Sequence, residues 1–196
     1  MTRGTMINAN EFSEIRKELK ASEEKREIVI RKSRDIIMLS KQIIYSAQRG
    51  DLKKAEALCA DIRKAVGELP KGYCGTEMES VAVQEYVEAV CFVEFVKSGK
   101  LLTRQELGAD TESYLLGICD LTGELLRQAV NAAINKRYDE ALKIKDFVAE
   151  IYGEFLQFDL RGGQLRNKAD SIKWNLKKLE DLALGISVRQ PLGEAD

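Results

Sequence analysis

Glu85 and Glu88 stand one helical turn apart inside the most apolar helical run of the chain, Val-Gln-Glu-Tyr-Val-Glu-Ala-Val-Cys-Phe-Val-Glu-Phe-Val at 83–96. At about 100° per residue they share a helix face with Val81, Phe92 and Phe95, whereas Glu94 points the opposite way. A carboxylate in such surroundings costs several kcal/mol unless a cation, a donor or water compensates it. A second acidic pair follows at Asp120 and Glu124. On an ideal helix Ser113, Gly117, Asp120, Glu124, Arg127 and Asn131 fall within about 80° of one another, a narrow polar stripe on an otherwise apolar helix. Gly117 and Gly123 each cost up to ~1 kcal/mol relative to Ala, which implies that a helix or a ligand approaches closely. A solvent-facing side with a tight helix crossing at the glycines would leave the same stripe. Its narrowness, and the same peculiarity around Glu85 and Glu88, argue that the two faces meet and four carboxylates converge. Like charges that close persist only around cations or with raised pKa values.

Four oxygen ligands without His or Cys suit Mg²⁺ or Mn²⁺, which keep waters and accept a phosphate oxygen. The chemistry this predicts is metal-assisted phosphodiester hydrolysis, the metal activating water and steadying the leaving oxygen. Arg127 would either ground the phosphate or simply pair with Glu124. The chain contains no histidine, which removes the commonest general base and every His-containing zinc or di-iron pattern. Cysteine catalysis is poorly supported, because Cys91 and Cys119 lie in apolar helices without a histidine partner.

The elements that must position these residues read as helices throughout. The 196 residues fit one domain, with two prolines and abundant Glu, Lys, Leu, Ala and Ile. Asn10 can cap a helix running without Pro or Gly to Arg49, where Gly50 stops it. Such a helix spans roughly 60 Å, so part of it should project or pack on another subunit. Arg26, Arg31, Lys32, Arg34 and Lys41 decorate its middle, with Arg34 and Lys41 on one face. For any one of these, intrahelical pairing with Glu23, Glu27 or Asp35 is the simpler account. Asp51 opens a second helix ended by Pro70, and a short loop at 71–76 precedes a helix from Glu77 to Lys97 closed by Gly99. Thr103 and Glu106 form a capping box on a short turn before Gly108. Further helices run from Asp110 or Thr111 to Asn135, from Asp139 to Leu160, and from Gln164 to Leu184. The prediction is an all-α fold, an antiparallel bundle of six to seven helices. It forms a single domain over 10–185, between a disordered leader at 1–9 and a flexible tail at 186–196.

Charge is nearly balanced, 31 basic against 32 acidic residues. The average therefore advertises no affinity for nucleic acid or membrane, although a basic stripe can coexist with an acidic surface. No apolar run approaches the roughly 20 residues of a spanning helix. None of the four cysteines (59, 74, 91, 119) forms a C-x-x-C pair, and no cleavable signal is evident. A soluble, cytoplasmic protein is the expectation.

Gln-Glu-Tyr-Val-Glu-Ala at 84–89 and Asp-Leu-Thr-Gly-Glu-Leu at 120–125 closely resemble signatures of the translin/TRAX family, in its TRAX-like, catalytic branch. Ser-Arg-Asp-Ile at 33–36, Ser-Lys at 40–41, Tyr-Leu-Leu-Gly at 114–117 and Leu-Lys-Lys-Leu-Glu-Asp at 176–181 are weaker matches, and the likeness extends from about residue 11 to 190. The resemblance implies a seven-helix fold, assembly into a hollow, octamer-like barrel, and Mg²⁺-dependent endoribonuclease activity on RNA enclosed within it. Glu85, Glu88 and Asp120 match positions that coordinate metal and are needed for cleavage, and Glu124 matches a further acidic position. Translin itself lacks the full acidic set and acts mainly as a scaffold. Arg34 and Lys41, with Arg31 and Arg127, are the candidate RNA contacts. The connection between the carboxylate helices is shorter than in larger TRAX proteins and the basic leader is absent, so self-assembly is expected in place of a translin partner. Whether the RNA is single-stranded or a short duplex stays open. The alternative from another class is an RNA- or single-stranded-DNA-binding scaffold with no chemistry. A di-iron carboxylate bundle is a weaker third reading.

Overall fold

The computed structural model describes residues 7–70 and 77–189. Among them seven helices and no strands occur: α1 (Ala9–Gln48), α2 (Leu52–Gly67), α3 (Glu77–Ser98), α4 (Arg104–Leu107), α5 (Thr111–Ile134), α6 (Tyr138–Phe155) and α7 (Gln164–Arg189). The all-helical bundle is as expected. α1 packs on α2 and α3, α3 on α5, and α5 on both α6 and α7, which also meet each other. Chain order thus lays the helices side by side, with α3 and α5 central.

The boundaries follow local chemistry. Asp51, Thr103 and Asp110 cap α2, α4 and α5 through their side chains, and the Thr103–Glu106 capping box is complete. α1 is capped by Asn8, not Asn10. The Asn8 backbone is extended and its side-chain oxygen accepts from the N–H groups of Asn10 and Glu11 at 3.1 and 3.3 Å, while Asn10 already lies in the first turn. α2 stops at Gly67, ahead of Pro70, and Lys32 Nζ donates to the Glu68 carbonyl at 2.9 Å. Gly50 and Gly99 take left-handed conformations at the ends of α1 and α3. The expected loop at 71–76 and residues 1–6 and 190–196 lie outside the described residues.

Two ends differ from expectation. α6 finishes at Phe155 instead of Leu160, because Phe158 turns back to meet the Phe155 ring edge-on at 5.4 Å. α7 continues past Leu184 and Gly185 to Arg189, so positions 186–189 are helical, not a tail. Ile186 is buried and extends the apolar series Ile172, Leu176 and Leu179. Its burial outweighs the ~1 kcal/mol that glycine costs inside a helix.

The expected projection of α1 is present. Its first buried residue is Val29, and Phe12, Ile15, Leu19 and Ile28 are all exposed. About 20 residues, roughly 30 Å of helix, extend without burying a side chain. Among the described residues no helix is long and apolar enough to cross a membrane.

Candidate active site

Gly117 sets the central crossing. A Cβ there would stand 2.7 Å from the Gln84 carbonyl oxygen and 2.8 Å from Val87 Cβ, so α5 rests directly on the α3 backbone. The close approach read from the glycines is therefore a helix. At Gly123 the nearest neighbour is only Asn175 Nδ2, at 3.8 Å. The crossing falls on the turn of α3 that carries Glu85 and Glu88, with Asp120 one turn along α5. The four acids consequently come into electrostatic reach of one another, as the spacing predicted. Glu94 leaves the group and accepts from Ser98 at 2.7 Å.

Glu88 is the most constrained of the four, with 8% of its surface exposed. Burial, then Asp120, Glu85 and Glu124, push its carboxyl up to about 9, and Lys168 offsets this only in part. Glu85 is raised as well, chiefly by burial, with Lys41 and Lys168 opposing and Asp120 and Glu124 reinforcing. Asp120 receives Lys168 Nζ at 2.5 Å, and the same ammonium donates to Gln84 Oε1 at 2.9 Å. The Gln48 side-chain amide donates to Glu124, and Arg127, largely exposed, stands 4.0 Å from the same carboxylate. Four helices thus contribute: α1 through Lys41 and Gln48, α3 through Glu85 and Glu88, α5 through Asp120 and Glu124, α7 through Lys168.

The donor set is made of hard oxygens, the ligand type a divalent cation prefers, and with all four acids ionised it would outnumber Lys41, Lys168 and Arg127. Among the described residues, however, no three acidic or cysteine side chains are disposed to hold a metal ion. Lys168 and Gln48 draw Asp120 and Glu124 to partners of their own. Cys91 and Cys119 are buried with thiols pushed up to about 12, chiefly by burial, so neither is a nucleophile near neutral pH.

Lys168, Gln84 and Gln48 escaped the reading of the sequence. Lys168 lies 48 residues from Asp120, and Gln48 lies 76 from Glu124. The nearest available signal was a buried-side lysine in an amphipathic last helix, which alone names no partner. Of the expected RNA contacts, Arg34 and Lys41 line a groove of about 680 Å³ with Ile37, Met38, Tyr45 and Met78. Arg31 is exposed one turn earlier on α1, and Arg127 lies apart, beside Glu124.

Residues 24–190 match the model of the Translin family. The chain belongs to the Translin family. Mouse (Mus musculus) Translin-associated protein X is 25% identical over 225 residues, covering 91% of this chain and 78% of that protein. Bovine (Bos taurus) Translin is 31% identical over 121 residues, 55% of this chain and 53% of that protein. Within the family the chain is thus TRAX-like along nearly its whole length. Among solved structures, apo-NeC3PO is similar with a TM-score of 0.82 and 28% identity, covering 94% of this chain and all of that one (100%). A complex of AfC3PO with duplex RNA gives a TM-score of 0.74 at 28% identity, again over 94% and 100%.

Proposed function

We propose that this Translin-family chain is a metal-dependent endoribonuclease that binds RNA along the cationic face of α1 and cuts it at the acid cluster. The observation carrying this reading is the gathering of Glu85, Asp120 and Glu124 around the buried Glu88 where α3 and α5 cross. Carboxyls gathered this closely persist either by holding protons or by closing round a cation, and phosphodiester chemistry is what a cation among hard oxygens does well. The similarity to a protein in complex with duplex RNA supports the substrate class.

Glu85, Glu88, Asp120 and Glu124 would hold Mg²⁺, or Mn²⁺. When bound there it supplies Lewis acidity that activates water and neutralises charge on the phosphate. Arg34 and Lys41 take the RNA backbone, with Arg31 extending the path and Arg127 reaching a phosphate beside Glu124. Lys168 orients Asp120 through its ammonium, and Gln48 orients Glu124 through its amide. The exposed apolar residues of α1 support assembly of several copies, which we read as a hollow, octamer-like shell of this chain alone.

The competing reading is an RNA-binding scaffold without chemistry. One feature favours it: Lys168 already compensates Asp120, and the acids as arranged do not close on an ion. Incubating the protein with end-labelled RNA, with Mg²⁺ or with EDTA, separates the two. Mg²⁺-dependent fragments from the native protein and none from Glu88→Ala are expected. RNA binding with no fragments at any Mg²⁺ or Mn²⁺ concentration would leave the scaffold.

A further inference from the structure

We infer that α1 carries a nucleobase-stacking subsite beside the acid cluster, built from Tyr45 and Met38 and taking an unpaired base of the RNA. The inference rests on the proposed RNA-binding role and adds the form of strand that the site accepts.

Arg34, Met38, Lys41, Tyr45 and Arg49 follow one another at intervals of four, three, four and four residues, a single stripe on the helix. Cations alternate along it with a thioether and an aromatic ring. Both non-cationic members face solvent although the same stretch of α1 buries Ile36, Ile43 and Ile44: Met38 is 53% exposed and Tyr45 58%. One exposed apolar side chain needs no explanation. Two in a groove of about 680 Å³ with a cation between them do. The ring is also held in place, with Arg49 donating to the Tyr45 hydroxyl at 3.0 Å and its guanidinium carbon 5.3 Å from the ring centroid.

The occupant follows from charge and position. Among the described residues the ion pairs of α1 are formed elsewhere, by Arg26 with Glu23 and Lys32 with Glu68. Arg34 and Lys41 therefore leave a cationic rim around an apolar floor, which suits a polyanion carrying flat rings. Such a groove, with aromatic surfaces for successive bases, is how single strands are held with little sequence preference. On the same helix face Lys41 opposes Glu85 and Gln48 bonds Glu124, so Tyr45 lies between the two residues by which α1 meets the acids. A base on Tyr45 sets its own phosphate toward the cluster. A base paired within a duplex cannot offer its face in this way, so strands with unpaired or frayed nucleotides are the substrates this surface fits.

The test is binding of the full chain, without divalent cation, to a single-stranded RNA containing 2-aminopurine and to the same strand carrying abasic positions. Tyr45→Ala is expected to weaken binding of the intact strand roughly 5- to 150-fold, the range for loss of one stacked base. Quenching of 2-aminopurine should vanish with it, Tyr45→Phe should retain both, and the abasic strand should not distinguish the variants. Equal losses on intact and abasic strands, or no loss at all, would overturn the subsite while leaving RNA binding in place. So would a changed particle mass for Tyr45→Ala, which would mean that a second copy covers the groove. Failure of the native protein to bind any RNA would instead remove the function on which the subsite rests.

Discussion

Between Val29 and Ala47, α1 buries Val29, Ile36, Ile43, Ile44 and Ala47, together with three serines, whereas between Ala9 and Ile28 it buries nothing. Both halves carry apolar residues at helical spacing, Phe12, Ile15 and Leu19 in one and Ile36 and Ile43 in the other. The C-terminal half has α2 and α3 to lie on and goes on to supply Lys41, Tyr45 and Gln48 to the site. Among the described residues nothing buries a side chain of the N-terminal half. Periodicity announces that a helix has a face to cover; it does not say whether the cover comes from the same molecule. One half therefore packs inside the protomer and reaches the acid cluster, and the other leaves its apolar face uncovered.

The sharpest way to separate the halves is to damage each alone. Glu88→Ala should remove Mg²⁺-dependent cleavage by more than the 10–100-fold that loss of an outer-shell partner costs a metal site. Particle mass, measured by light scattering, should stay unchanged. Conversely, replacing Phe12, Ile15 and Leu19 together by Ser should dissociate the assembly and leave the melting temperature of the body intact. An unaltered mass would show that the projecting half is not an interface. A smaller effect compares the two glycines of α5. Gly117→Ala meets the Gln84 carbonyl and should cost about 1–3 kcal/mol, lowering the melting temperature by several degrees. Gly123→Ala meets only ordinary contact and should be neutral or stabilising by up to ~1 kcal/mol.

A further effect concerns pH. Glu88 rises from 4.5 to about 9 on folding, so between these values the folded chain holds a proton that the unfolded chain has released. Stability without divalent cation should fall as pH rises through that window. Glu88→Gln should flatten the slope and melt a few degrees higher than the native protein at pH 8. Thermal melts in EDTA across pH 5–9 read this directly, and identical slopes for the two proteins would contradict the buried, proton-holding state.

How far the sequence could be read depended on distance along the chain. The convergence of Glu85, Glu88, Asp120 and Glu124 was legible because each pair shares a helix turn and Gly117 marked the crossing. Projection of α1 was legible because its length exceeds the body. The end of α6 was not, since it depends on Phe158 folding back to Phe155, and Ile186 extended α7 through packing that Gly185 argued against. Sequence alone determined the helical periodicity, the caps of α2, α4 and α5 and the gathering of acids on two faces, because these depend on residues within a few positions of one another. Only the tertiary structure decided that Lys168 would pair with Asp120, that Gln48 would reach Glu124 and that Tyr45 would stand between the contacts of α1 with the acids. Those partners lie dozens of residues apart, and only the packing of α1, α3, α5 and α7 brings them together.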